Sequence, residues 1–338
     1  MKKFMFILMV ALVGGISKSS AQNTLVATLT HGDEITMFYG INAFVKAHNA
    51  AVDGDIINLS GGKFNSTTIT KGITIRGTGT YVANIVTNPT HIINTLEINL
   101  PETATDRLSI EGCTFDDCVS AKALKNAYFL KNSFNNGFFL KGVVTNTTFV
   151  NCSLSGSSGS GSNGIYSPQY KSSIQFINCK IYYVNISAGT FAFINCLILP
   201  NYGYEAHSIS NSSLVNCILY YTSTSTPSSR HQLPATSSAW NCVAVGAGAQ
   251  NVFANLSSPQ NCTYATKEIF IDGSYFKDLT DEAKATYLGN DGTPVGIYGG
   301  VFPYDMTPTY PQITKMNVAN KTTADGKLSV EIEVSATE

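Results

Sequence analysis

The sequence predicts an all-β chain wound as a parallel β-helix, a solenoid of short stacked strands. Three observations predict it. A four-residue pattern (apolar, any residue, Asn or Asp, Cys or a small polar residue) recurs nine times between residues 92 and 262, its fourth position advancing by about 21 residues per step. Runs of Phe, Ile, Val and Tyr between these marks are only four to six residues long and are broken by Gly, Ser and Asn, which is strand and not helix punctuation. The composition, with 43% apolar residues, 17 Tyr and 18 Phe, supplies a large core and excludes disorder. Lys+Arg 21 against Asp+Glu 22, with 13% charged residues, excludes a protein that steers toward nucleic acid.

Taken in order, residues 1–21 read as a signal peptide: Lys2-Lys3, an apolar run from Phe4 to Val13, then Ser19-Ser20-Ala21 before Gln22. The chain is expected to be secreted, to the periplasm, the outer cell surface or the medium. No Cys follows the apolar run, so no lipoprotein anchor is expected, and no later stretch is long and apolar enough to span a bilayer. Ile41, Phe44, Val45 and Val52 follow helical spacing, with His48 on the same side and Asp53-Gly54 as a stop. A helix there is expected to close the open first coil, whose stacked interior would otherwise face water. Two short strands follow in Asp53-Gly54-Asp55-Ile56-Ile57-Asn58-Leu59 and Ile69-Thr70-Lys71-Gly72-Ile73-Thr74-Ile75-Arg76-Gly77.

The repeats read Ile92-Ile93-Asn94-Thr95, Phe115-Asp116-Asp117-Cys118, Leu130-Lys131-Asn132-Ser133, Phe149-Val150-Asn151-Cys152, Phe176-Ile177-Asn178-Cys179, Phe193-Ile194-Asn195-Cys196, Leu214-Val215-Asn216-Cys217, Ala239-Trp240-Asn241-Cys242 and Pro259-Gln260-Asn261-Cys262. Period two places each Cys and the residue two beyond it on the inner face, as in Cys179 with Ile181. Asn suits the bend because it tolerates the left-handed region, and its amide is expected to bond the Asn of the next coil. The Ser/Gly run 155–164 reads as an exposed loop. The alternation in Lys327-Leu328-Ser329-Val330-Glu331-Ile332-Glu333-Val334 reads as one half-exposed strand in a tail, 312–338, beyond a β-helix domain of residues 22–311.

The opening blocks at residues 53–77 resemble the first coils of secreted right-handed parallel β-helix proteins of the pectin-lyase-like superfamily. Asp291-Gly292-Thr293-Pro294-Val295-Gly296-Ile297-Tyr298-Gly299-Gly300 looks like their last coil. The resemblance spans residues 40–311. It implies the fold, and leaves function open among lyases, hydrolases, adhesins and proteins without activity.

Seven Cys (118, 152, 179, 196, 217, 242 and 262) are expected in one column about 4.8 Å apart, too far for disulfides, as buried free thiols, with Cys113 outside it. No zinc motif occurs. A hydrolase needs converging carboxylates, yet Glu205 is the one carboxylate between Cys118 and Lys267, and the superfamily's pectin-hydrolase motifs are absent. A lyase needs a base and a neutraliser for the uronate, often Ca²⁺. The candidates are Asp106, Glu111, Asp116 and Asp117 for Ca²⁺, with Asp116, Asp117, Lys122, Lys125 and Lys131 for catalysis. No other cofactor is expected. The competing reading of the same charges is an ordinary solvated surface.

A non-catalytic reading rests on Tyr182, Tyr202 and Tyr220, which follow three successive rungs and are candidates to stack on sugar rings from one outer face. Residues 118–266 carry six Lys and one Arg against one Glu, which suits an anionic glycan. The sequence thus points to an exported β-helix protein that interacts with polysaccharide and has no nucleic-acid partner. A polysaccharide lyase is the alternative and a structural adhesin for protein partners the second.

Overall fold

The computed structural model describes residues 25–80, 88–156, 164–167, 169–199, 208–221, 232–246, 249–265, 268–272, 278–319, 321–323 and 325–335. The signal-peptide reading of 1–21, Tyr202 and most of the Ser/Gly loop lie outside these residues. No helix among them is long and apolar enough to cross a membrane.

The described residues form an all-β solenoid of three long sheets with eleven, ten and eight strands. One coil shows the plan: Thr147–Val150 in the eleven-stranded sheet, Ser153–Leu154 in the ten-stranded sheet and Ile165–Ser167 in the eight-stranded sheet. The next repeats it with Ser173–Ile177, Lys180–Tyr182 and Val184–Ile186, each strand parallel to its predecessor. At the start, β1 (Val26–His31) and β2 (Glu34–Tyr39) form an antiparallel hairpin that joins the eleven-stranded sheet through β3 (Ile56–Leu59). Helix α1 (Ala43–Ala50) sends Ala43, Phe44, Ala47 and His48 into the core. It is shorter than the spacing suggested: Ile41 and Val52 lie outside it and are exposed.

Inside, equal positions stack. Phe129, Phe149, Phe176 and Phe193 are in register and fully buried. Their rings are stacked with centroids 4.6, 4.9 and 5.2 Å apart, the offset contact that aromatic quadrupoles favour. From Gly112 onward the bend between the eleven- and ten-stranded sheets is left-handed, with φ of 67° at Gly112, 53° at Lys131, 50° at Asn151, 48° at Asn178, 50° at Asn195, 54° at Asn216, 48° at Asn241 and 51° at Asn261. Asn recurs there because it enters this region at lower cost than branched or bulky residues.

All eight cysteines are free. The column differs from the sequence reading at its start. Strand register brings Thr114 beside Ser133, which places Cys113 in the column next to Asn132, and the Asn132 side chain accepts from the Cys113 N–H at 2.9 Å. Cys118 stands outside it, at the opposite corner beside Thr95. Phe115-Asp116-Asp117-Cys118 imitates the motif but turns from the ten- to the eight-stranded sheet, as does Ile92-Ile93-Asn94-Thr95. The third tetrad is offset by one residue. From Cys152 onward the column is as read, with Cys152 to Cys242 buried and Cys262, at its end, half-exposed. Four of these thiols find a carbonyl one coil back: Cys152 donates to Phe129 at 3.4 Å, Cys179 to Phe149 at 3.5 Å, Cys196 to Phe176 at 3.4 Å and Cys217 to Phe193 at 3.3 Å.

Two further expectations are corrected beyond residue 265. Residues 289–310 form no coil. They run back along the left-handed corner as a strap, meeting Asn216 through Asn290 and Gly296, Asn178 through Gly299, Lys131 through Asp305 and Thr307, and Glu111 through Thr309. Gly296 lies at φ 75°, and a Cβ there would stand 2.7 Å from the end of the Ile218 side chain, so a larger residue would strain the backbone and push Ile218 aside. The corner amides accordingly bond the strap: Asn178 donates to the Gly299 carbonyl at 2.8 Å, and Asn216 to the Asn290 side chain at 2.9 Å. Asn-to-Asn pairing occurs at another corner, where Asn146 donates to Asn126 at 2.6 Å. The tail holds two strands, Gln312–Val318 and Val330–Ser335, paired antiparallel with each other.

Candidate functional site

The charged candidates are dispersed. Glu111 is buried under the strap, accepting from the Thr309 N–H at 2.7 Å and the Thr309 hydroxyl at 2.6 Å. Lys131, also buried, donates to the Asp305 carboxylate at 3.0 Å and the Thr307 carbonyl at 2.5 Å. Burial alone would raise the Asp305 carboxyl, but the Thr307 N–H and the Lys131 ammonium hold it below the usual range. These two candidates anchor a chain segment, and neither faces open solvent as a lyase base or calcium ligand must.

The others sit at different places. Asp116 pairs with His91 Nδ1 at 2.7 Å, and Asp117 accepts from the Thr95 hydroxyl at 2.9 Å and the Cys118 N–H at 2.8 Å. Asp106 lies in a loop against Gly54, accepting from the Thr105 hydroxyl at 2.9 Å. Lys122 pairs with Glu97 at 2.7 Å, and Lys125 is exposed at the end of the strand Val119–Lys125. Among the described residues no three His, Cys, Asp or Glu side chains are grouped to hold a metal ion. Sequence proximity had suggested one cluster, but a coil sends neighbouring residues to three different faces.

Tyr182 and Tyr220 do point outward in one row of the ten-stranded sheet, but that face is covered. Leu197, Leu199, Ile218, Val243, Val245 and Ala265 on the sheet form a second apolar cluster with residues of the C-terminal segment, including Phe270, Leu279, Val295 and Ile297. Tyr182 and Tyr220 pack against it together with Tyr287, Tyr298 and Tyr304. The Phe270 ring meets Tyr220 edge-on at 5.2 Å, and the Tyr220 hydroxyl reaches Glu268 at 3.5 Å. Burial, then the Glu268 charge, pushes the Tyr220 phenol above its ordinary value. The Lys180 ammonium stands 5.4 Å from the Tyr182 ring centre. This packing leaves both rings half-buried. Tyr221, the second residue of its pair, packs into the core.

An outward aromatic pair exists on the eight-stranded sheet instead. Register aligns Glu97, Ser120, Phe139, Tyr166 and Asn185 across successive coils. Phe139 and Tyr166 are both half-buried, with centroids 5.8 Å apart and planes tilted by 47°. The Lys141 ammonium lies 5.7 Å from the Phe139 ring centre, and Lys122 occupies the equivalent position one coil earlier. The signal was present in Phe138-Phe139 and Ile165-Tyr166, where period two sends the first residue inward and the second outward. It was missed because the repeat was followed through its Asn-Cys mark, which this sheet lacks. Chemically the face offers stacking, cationic charge and one carboxylate, Glu97, already tied to Lys122.

No protein-family model matches the chain, and no curated protein is similar to it.

Proposed function

We propose that the protein is an exported β-solenoid that binds an acidic polysaccharide on the outer face of its eight-stranded sheet. The observation that carries this is the Phe139–Tyr166 pair on adjacent coils, 5.8 Å apart, with Lys141 over Phe139. Aromatic faces stack on the apolar faces of sugar rings, and Lys141 beside the pair supplies the cation for a sugar carboxylate. Binding fits better than cleavage because the carboxylate in this row is neutralised by Lys122. Residues 1–21 support export, and α1, with Phe44 in the core, serves as the lid of the first coil.

The test is affinity electrophoresis of the mature protein in gels containing polygalacturonate or alginate, with ultraviolet absorbance of unsaturated uronates followed in parallel. Retarded migration that weakens about five-fold in Phe139→Ala and in Tyr166→Ala, as loss of about 1 kcal/mol of stacking requires, supports the proposal. Migration unaffected by either polysaccharide refutes it, and uronate absorbance would make the protein a lyase.

A further inference from the structure

From a second outer face we infer a further binding site, for a neutral polysaccharide, in a shallow groove on the eleven-stranded sheet. The groove encloses about 250 Å³ and is lined by Asn146, Thr148, Ser173, Gln175, Thr190, Ala192 and Ser213, together with the backbone edges of Thr147, Ile174 and Phe191. Its floor follows one register row, Thr148, Gln175, Ala192 and Ser213, over four consecutive coils. The Ala192 methyl, between the longer Gln175 and the Ser213 hydroxyl, makes the dip.

The chemistry of the lining selects the ligand. No side chain in it is titratable, so it offers no opposite charge to pair with a phosphate, carboxylate or ammonium. Hydroxyls and a carboxamide each donate and accept, which is the hydrogen-bonding character of sugar hydroxyls. Among the described residues the side chains of Thr148, Gln175, Thr190 and Ser213 make no hydrogen bond to the protein. Asn146 and Ser173, at the rim, are already engaged: Asn146 donates to Asn126 at 2.6 Å, and the Ser173 hydroxyl accepts from the Asn146 N–H at 3.3 Å. Unspent groups repeat along the solenoid axis over about 14 Å, three strand spacings, so the ligand is an extended chain and not a single sugar. A strand-forming peptide is disfavoured, because the flanking strands already pair on both sides. A helical peptide is disfavoured, because the groove has no deep apolar pocket to seat an anchor.

The test uses the mature protein in affinity gels containing a β-glucan, a mannan or a galactan, with Ala192→Trp to fill the groove and Gln175→Ala to remove its carboxamide. Circular dichroism melting checks that both variants are folded. Retardation by at least one of these polymers, reduced five-fold or more in both variants and unchanged in Phe139→Ala, is the expected result. No retardation by any neutral polymer, or retardation that survives Ala192→Trp in the folded variant, overturns the site. Competition by the free monosaccharide as effective as by its polymer overturns the multi-coil reading. Because Phe139→Ala reads the other face, failure here is separable from failure of acidic-glycan binding.

Discussion

Asn178 is where the corner and the strap can be weighed separately. It holds φ at 48°, is 1% exposed, and donates to the Gly299 carbonyl at 2.8 Å. Asn178→Ala loses on two counts. Placing a Cβ-bearing residue without a local polar group in the left-handed region costs about 1–2 kcal/mol, and losing a buried hydrogen bond costs a further 0.5–1.5 kcal/mol or so. The sum is about 1.5–3.5 kcal/mol. Asn178→Gly removes the same hydrogen bond but accepts the positive φ freely, and its remaining penalty is the greater freedom of the unfolded chain, roughly 0.4–1 kcal/mol. Glycine is therefore expected to be less harmful than alanine by about 1 kcal/mol, the reverse of their order in a helix or strand. Asn261, with φ 51° but exposed and beyond the reach of the strap contacts, supplies the control: Asn261→Ala carries the backbone cost alone, about 1–2 kcal/mol. The assay is urea unfolding followed by fluorescence of the single tryptophan, Trp240, which sits on the outer face one residue before the Asn241 corner. If Asn178→Ala proves as stable as Asn178→Gly, the left-handed corner is not what selects Asn, and the account of the repeat fails.

Two other outcomes follow from buried groups. His48 is buried in α1, and burial, with the Lys71 charge next, pulls its imidazole down to about 4. Its folded value thus lies below its unfolded value of 6.5, so it costs nothing above pH 6.5. As the pH falls from there toward 4 the unfolded chain takes up the proton first, and up to about 3 kcal/mol of stability is lost. His31, raised by its bond to Asp55, has the opposite sign: its contribution is fully present below 6.5 and is lost as the pH rises through its folded value. Wild type should therefore lose more melting temperature between pH 7 and pH 4.5 than His48→Gln, and parallel losses would refute the assignment. The thiols give the second test. Burial holds Cys113 up at about 12 and Cys179, Cys217 and Cys242 well above the ordinary value. A thiol-reactive chromophore should titrate in the native protein no more than the two half-exposed residues, Cys118 and Cys262, and all eight after denaturation. Rapid native labelling of Cys196 would show that the column is not closed.

The strap redefines which surface of the solenoid is available. Residues 289–310 and the segment before them pack against Tyr182 and Tyr220 and engage Lys131 and Glu111, which the sequence had offered as functional groups. The faces left open are the Phe139–Tyr166 row and the Thr148–Ser213 groove, on different sheets and with different chemistry. One carries cationic charge beside aromatic rings; the other carries neither.

By itself the sequence determined the features that carry the Asn-Cys mark of each coil. The αL corner marked by Asn, the inward Cys and Phe, the rung length near 21 residues and the all-β class are each fixed by a few adjacent residues, and recurrence makes them legible. Only the tertiary structure decided the first registers and the covered surface. Phe115-Asp116-Asp117-Cys118 meets the same local rule as a true corner, and stacking against Thr90 and Asn132 is what places Cys113, and not Cys118, in the column. The contacts of Asn178 with Gly299, Lys131 with Asp305 and Glu111 with Thr309 each join residues more than a hundred positions apart, and each is made once. A contact made once leaves no period in a sequence, so the strap, and with it the choice of which tyrosines and lysines remain free to meet a ligand, is settled only when the coils have stacked.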